Sequence, residues 1–234
     1  MRVLTIIPAR SGSKGVKKKN IKLLDGVPLL NWTIQSALGA SHKLDEIIVS
    51  TDSDEIAQIA KNSAVEVPFI RPKNLATDTA KSIDVIMHAL EFMESKLNLE
   101  YDWVLTLQPT TPFRSHIDIE QALNLAKNSD CDSIISVVRV YSHHPILMKR
   151  IENGRLIPFT TEEKEGTRRQ DYTPPAFMRN GAIYLTKREI VVNEKSLWGK
   201  DIQPLEMPDD RSINIDSHID YLIAESMLRE KSID

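Results

Sequence analysis

Pro8-Ala9-Arg10-Ser11-Gly12-Ser13-Lys14-Gly15, running on through Lys17, Lys18 and Lys19 to Asn20, is the stretch whose residue types point most directly to chemistry. Gly12 and Gly15 permit tight backbone and positive φ, so amide groups can turn toward a ligand. Arg10, Lys14, Lys17, Lys18 and Lys19 crowd the same loop with positive charge. A basic glycine loop of this kind suits several adjacent phosphates, and hence a nucleoside triphosphate. Neither G-x-x-x-x-G-K-[ST] nor G-x-G-x-x-G occurs in it, so it is not one of the two common phosphate cradles. The loop implies phosphate and does not by itself imply a reaction.

Other residue types narrow the chemistry by exclusion. Cys131 is the single cysteine, which rules out an intrachain disulfide and a cysteine metal cluster. It stands just ahead of an apolar run and is expected to be a buried structural thiol. His144 precedes Pro145 and has no second histidine or carboxylate at metal-ligand spacing, so it reads as a conformational residue and not as a zinc ligand. With 234 residues, 41% hydrophobic and 27% charged, the chain is long enough for one sizeable core or one main domain with a small appendage. A net charge of −3 gives no reason to expect a nucleic-acid partner and makes the basic loop a local patch. No apolar run approaches membrane-spanning length and the N-terminus lacks a signal-peptide core, so a cytoplasmic protein with no membrane partner is expected.

The elements that must position the loop follow from periodicity. Arg2 to Ile7 is a short β-branched apolar run, a buried strand that Pro8 ends. Leu30, Ile34 and Leu38 share a helical face, with Gly39 as a stop signal. Residues 46–51 read as a second strand, 55–62 as a helix capped by Asp52 or Ser53, and 65–70 as a third strand. Ile83, Ile86, Met87, Leu90 and Met93 mark an amphipathic helix over 82–97, with Ser82 a good N-cap. Residues 103–107 are strand-like, and Gln108-Pro109-Thr110-Thr111-Pro112 forces an extended turn. Ser115 can cap the next helix with Asp118 in the capping-box position. Residues 133–140, 180–186 and 203–207 are further strands, and Ile219, Leu222, Ile223, Ser226 and Met227 give the last helix an apolar stripe. Alternating strands and helices predict a doubly wound α/β sheet with ligands at the carboxyl ends of its strands. The Arg10 loop and the Gln108 turn both leave such ends and meet in one crevice. Residues 141–178 break the rhythm with a hairpin around Asn153-Gly154 and a charged run, and are read as an excursion from a domain made of 1–140 and 179–234.

Taken whole, the Pro8–Gly15 loop with Lys19-Asn20 closely resembles the signature of the acylneuraminate cytidylyltransferases, the CMP-sialic acid synthetases. Arg71-Pro72, Leu75-Ala76, Leu107-Gln108-Pro109-Thr110, His143-His144-Pro145, Arg169-Gln170, Asn180-Gly181-Ala182-Ile183-Tyr184 and Ile215-Asp216 extend the likeness over nearly the whole chain, in order. The resemblance implies a Rossmann-like nucleotidyltransferase sheet with helices on both faces, and a homodimer whose dimerisation element is the excursion. It implies attack of a sugar acid's anomeric hydroxyl on the α-phosphorus of CTP, assisted by Mg2+ and releasing pyrophosphate. By motif match, Ala9, Arg10, Ser13, Lys19, Asn20, Arg71 and Gln108 hold the nucleotide, with Lys19, Arg10, Gln108 and Asp216 as catalytic groups. Ser82, Gln108, Lys149, Arg169, Asn180 and Tyr184 are the implied contacts to a nine-carbon sugar acid. Asp216 and Asn214 are the implied metal positions, although the family carries aspartate where this chain has Asn214. N-acetylneuraminic acid is the favoured sugar, with legionaminic and pseudaminic acids as alternatives and the eight-carbon acid KDO as a near rival. A nucleotide-sugar-binding protein without turnover is the reading from another class, motivated by Asn214.

Overall fold

The computed structural model describes residues 1–12 and 15–231. Ten strands and six helices run through them: β1 (Val3–Pro8), β2 (Leu23–Leu24), β3 (Val27–Pro28), α1 (Leu29–Gly39), β4 (Glu46–Ser50), α2 (Asp54–Asn62), α3 (Ser82–Leu97) and β5 (Trp103–Thr106). There follow α4 (His116–Lys127), β6 (Ser133–Val140), β7 (Lys149–Glu152), β8 (Arg155–Pro158), β9 (Ala176–Lys187), α5 (Arg188–Asn193), β10 (Ile202–Glu206) and α6 (His218–Lys231). The main sheet has the order β10-β6-β9-β5-β1-β4. β1 is parallel to both β4 and β5, whereas β9 runs antiparallel between β5 and β6. The sheet is therefore mixed, with helices on both faces.

Alternation along β1 explains those two faces. Val3 and Ile7 point into one layer with Leu30 and Ile34 of α1, Ile56 of α2 and Ile119 and Leu123 of α4. Leu4 and Ile6 point into the other, against Ile86, Leu90 and Met93 of α3 and Val191 of α5. Successive side chains of a strand leave on opposite sides, so an unbroken apolar run is what a strand covered twice requires. In α1 the packed face is Leu30, Ile34 and Ala37, while Leu38, expected on it, is more than a third exposed.

Two elements differ from expectation. Residues 65–70 do not form a strand but make isolated parallel bridges, Glu66 to Ile48 of β4 and Ile70 to Thr51 just after it. Pro68 stands between the bridges, and a residue without an N–H cannot continue a ladder. In α6 the packed residues are Tyr221 and Ala224 with Leu228, against Leu24, Leu29 and Ile215. Ile219, Leu222 and Ile223, expected to form the buried stripe, are exposed. Tyr221 fixes that rotation of the helix: its hydroxyl donates to the carbonyl of Leu23, and the Lys22 ammonium lies 3.6 Å from its ring centroid.

The residues read as an excursion follow β6 and contain the β7–β8 hairpin around Asn153-Gly154, both at positive φ. The chain returns to the sheet at Ala176, slightly before the expected 178 boundary, because β9 already pairs with the end of β6 there. Ile151 and Leu156 on the hairpin are 78% and 70% exposed.

Candidate active site

Because β1 pairs in parallel with β5, the loops leaving Pro8 and Thr106 stand side by side. β4 lies on one side of β1 and β5 on the other, so the chain reverses its winding direction here, which opens a crevice. A cavity of about 420 Å³ fills it. Its walls carry Arg10, Lys19 and Asn20 from the first loop, Arg71, Asp78 and Ser82 from the segment leading into α3, Gln108 and Thr110 from the turn after β5, and Asp216 from the approach to α6.

The first loop is pinned at several points. Asn20 is buried and its amide donates to the carbonyl of Arg10 at 2.8 Å, which closes the loop on itself. Ser11 is held by Asp52, which accepts from the Ser11 amide at 2.8 Å and its hydroxyl at 2.7 Å. Gly15 meets the segment leading into α6: a Cβ there would collide with the backbone oxygen of Asp216, so no other residue fits without moving that segment. Lys19 donates to the carbonyl of Ile215 at 2.8 Å and to the Asp216 carboxylate at 3.0 Å, with its side chain only 14% exposed. Ser13 lies outside the described residues.

Arg71 is the most unusual charge in the cavity. It is 4% exposed, and its guanidinium donates to the hydroxyl and carbonyl of Ser50 and to the carbonyl of Leu75. Among the described residues no carboxylate pairs with it. Burial lowers its pKa to about 10, the Asp52 charge opposes that shift and Arg10 adds to it, so the group is still a cation at neutral pH. A buried cation bonded to neutral acceptors at a cavity wall is prepared for an anion that enters. Arg10 is held at 2.8 Å by Asp78 across the cavity.

Ser82 is exposed and is the first residue of α3; the N-cap position is Lys81, and no side chain caps the helix. The capping role expected of Ser82 is therefore absent, and the residue lines the cavity. The Gln108 amide sits beside Gly181, where a Cβ would stand 3.4 Å from Oε1 of Gln108. Gly181 has φ of +79° where the pairing of β9 with β6 shifts register, a bulge that suits glycine.

Several residues implied by resemblance lie outside the cavity of their own chain. Ala9 is fully buried behind it, its amide bonded to the Ser50 carbonyl at 3.0 Å. Asn180 is 2% exposed: its oxygen accepts from Ser136 at 2.6 Å and the Ala182 amide at 3.1 Å, while its nitrogen donates to Ser212 at 2.9 Å. It ties β6, β9 and the segment after β10. Tyr184 pairs with Thr106 across β9 and β5, and burial pushes its phenol pKa up. Lys149 and Arg169 belong to the excursion, Lys149 ion-paired with Glu163 at 3.1 Å and Arg169 over the Tyr141 ring at 6.0 Å. His144 is buried and conformational, as its sequence position implies: Nε2 bonds the Pro174 carbonyl at 2.9 Å and Nδ1 accepts from the Ile146 amide.

The charged framework behind Gln108 was not foreseen. Arg114 is 2% exposed and donates to the carbonyls of Ala182 at 2.9 Å and Gln108 at 3.3 Å and to the Ser36 hydroxyl at 3.3 Å. Burial lowers its pKa to about 9, against the opposing charge of Asp118. The arginine's place two residues after a proline turn and just before a helix cap was its only sequence signal.

Among the described residues no three His, Cys, Asp or Glu side chains group to enclose a metal. Asp216 nevertheless offers a carboxylate, 67% exposed, at the cavity beside Lys19. Asn214 donates to that carboxylate at 2.8 Å, and its own oxygen is buried without a partner among the described residues. This donor set fits a magnesium ion that takes one protein carboxylate and relies on phosphates and water for the rest.

A mixed sheet with a cationic crevice at its switch point defines the nucleotide-binding α/β class. The chain belongs to the cytidylyltransferase family, whose sequence profile matches residues 4–190. It is 36% identical over 97% of its length, and 97% of the relative's, to the CMP-N,N'-diacetyllegionaminic acid synthase of Legionella pneumophila. It is 32% identical to post-translational flagellin modification protein B of Campylobacter coli, over 99% of this chain and 97% of that one. Against the N-acylneuraminate cytidylyltransferase of Escherichia coli O18:K1:H7 the identity is 31% over 99% of this chain, which spans about half of that relative's length (53%). Among solved structures, a CMP:2-keto-3-deoxy-manno-octonic acid synthetase complexed with CTP superposes with a TM-score of 0.73 at 15% identity, over 99% of this chain and 100% of that one. At that identity the likeness shows the fold.

Gly15→Ala tests how the loop and the Asp216 segment meet. Inorganic triphosphate binding, followed by calorimetry, is expected to weaken, with a melting temperature that falls little because the loop is at the surface. Unchanged binding would mean that the segment gives way without consequence for the cavity.

Proposed function

We propose that the protein joins CMP, taken from CTP, to a nonulosonic acid and releases pyrophosphate. The observation that carries this reading is the buried Arg71, paired with no carboxylate among the described residues, lining the same cavity as Lys19 at the sheet's switch point. Two polyanions must be held there in line, which is work of positioning and charge neutralisation more than of covalent chemistry. The anomeric oxygen of the sugar acid bonds to the α-phosphorus while the bond to the bridging oxygen breaks, and the hydroxyl proton passes to solvent. Lys19 follows the negative charge that gathers on the departing pyrophosphate. Arg10 and Arg71 hold the nucleotide phosphates and ribose side of the cavity. Gln108 stands where nucleotide and sugar meet, an amide able to donate and accept at once. Magnesium, held by Asp216 and the phosphates, would neutralise charge on the triphosphate. Asn214 orients that carboxylate rather than contributing a second charge.

The full-length relationship to a legionaminic acid synthase supports N,N'-diacetyllegionaminic acid as the first sugar to assay, ahead of N-acetylneuraminic acid. A cytoplasmic homodimer completes the reading. Lys149 and Arg169 stand on the excursion away from their own cavity, and the exposed Ile151, Leu156 and Phe159 of the same excursion offer an apolar surface to a second copy.

Pyrophosphate release with CTP, UTP, GTP or ATP at a fixed sugar acid tests the nucleotide; CTP is expected to be strongly preferred, and equal rates with UTP would refute the assignment. Lys19→Ala should slow turnover about a hundredfold or more, the loss of on the order of 3–4 kcal/mol of transition-state stabilisation. Mixing Arg169→Ala chains with Lys19→Ala chains should restore part of the activity through hybrid dimers. No recovery, with dimers verified by light scattering, would place Arg169 outside the neighbouring site.

A further inference from the structure

Asp118 is a buried carboxylate that the reaction does not use. It is 1% exposed in the first turn of α4, where it completes the capping box by accepting from the Ser115 amide and hydroxyl, each at 2.8 Å. A cap needs little more than one oxygen. Here the same carboxylate also receives a forked pair from Arg211, Nε at 3.1 Å and Nη2 at 2.9 Å, from a residue 93 positions away. Burial alone would raise the Asp118 pKa; the bonds from Arg211 and Ser115 outweigh it and keep the group ionised. Asp118 is also the charge that opposes the shift of Arg114, whose guanidinium holds the Gln108 carbonyl.

Arg211 closes the short 3-10 turn Asp209–Arg211, and the chain runs from there directly to Asp216. Along that run Ser212 is held by Asn180, the Ile215 amide donates to the Thr110 carbonyl at 2.7 Å, and Asp216 meets Lys19. Arg211 is the charged anchor at the start of the run, and its partner belongs to the helix that follows the Gln108 turn. We propose that Asp118, through Arg211, is a positioning residue that fixes the 209–216 segment and so sets the Asp216 carboxylate against Lys19 and the Gln108 turn. One buried carboxylate thereby places two walls of the cavity relative to each other. The inference rests on the reading of Asp216 as the metal-facing group.

The test uses Asp118→Asn and Arg211→Met in the full chain, with Arg211→Lys as the conservative variant. Arg211 is partly exposed, so its replacement is the variant that keeps the fold if loss of the cap at Asp118 does not. Three readouts are taken: amide hydrogen exchange over 208–217, CTP binding without metal, and the magnesium concentration giving half-maximal pyrophosphate release. Exchange over 208–217 is expected to accelerate in both variants, and CTP binding without metal to hold within about twofold. The magnesium requirement is expected to rise about tenfold, the usual size of an outer-shell effect, and Arg211→Lys to recover part of it. Wild-type exchange in Arg211→Met would overturn the clamp. So would an unchanged magnesium requirement in Arg211→Met when Asp216→Ala raises it. If Asp216→Ala itself leaves the magnesium requirement unchanged while Arg211→Met accelerates exchange, the metal reading of Asp216 fails and the clamp stands.

Discussion

The tie between Lys19 and residues 215–216 is the interaction on which the site depends. An ammonium from the first loop bonds a peptide carbonyl 196 residues away and the carboxylate beside it. The approach is close enough that Gly15, on the same loop, has no room for a side chain. Without that contact the loop after β1 would be a basic turn facing water, where its charges repel one another and are screened. With it, the loop becomes one wall of a cavity whose other walls are set by α3, the Gln108 turn and the approach to α6. Asp216 and Asp78 pair with Lys19 and Arg10, while Arg71 is sustained by neutral oxygens.

The sheet supplies the geometry this tie needs. A parallel β1–β5 pair brings two loops to one edge, and the antiparallel β9 inserts its bulge at Gly181 beside Gln108. The last segment of the chain is then threaded past that bulge by Asn180, Arg211 and the Ile215 amide. Polar residues at the core of this arrangement are held by several partners each, which confines them to one geometry at the cost of dehydrating them. Arg114 shows that cost: one of its nitrogens is buried without a partner among the described residues, and its pKa falls accordingly.

Much of the fold was legible because it is local. The helix over Ser82–Leu97, the strand over Ser133–Val140, the Ser115–Asp118 capping box and the Asn153-Gly154 hairpin each follow from a few neighbouring residues, and each is present as expected. The crevice was legible too, since two breaks after apolar strands predicted where the loops would meet. What the sequence hid was long-range. Whether residues 65–70 complete a strand depends on Pro68 at an edge, and which face of α6 packs depends on Tyr221 finding the Leu23 carbonyl. The Asp118–Arg211 pair and the Arg114 clamp have no local signature, because neither partner's spacing announces the other. Asn180 reads as a ligand contact by motif, yet every polar atom of its side chain is engaged within the protein.

The central claim is that this cavity holds CTP and a nonulosonic acid together and couples them. The most direct measurement follows the phosphorus atoms by NMR after mixing the protein with CTP, magnesium and N,N'-diacetyllegionaminic or N-acetylneuraminic acid. The account predicts equal amounts of free pyrophosphate and of a new CMP phosphodiester, formed only when the sugar acid is present. Pyrophosphate release that proceeds without any sugar acid, or intact CTP in the presence of every such acid, would contradict it.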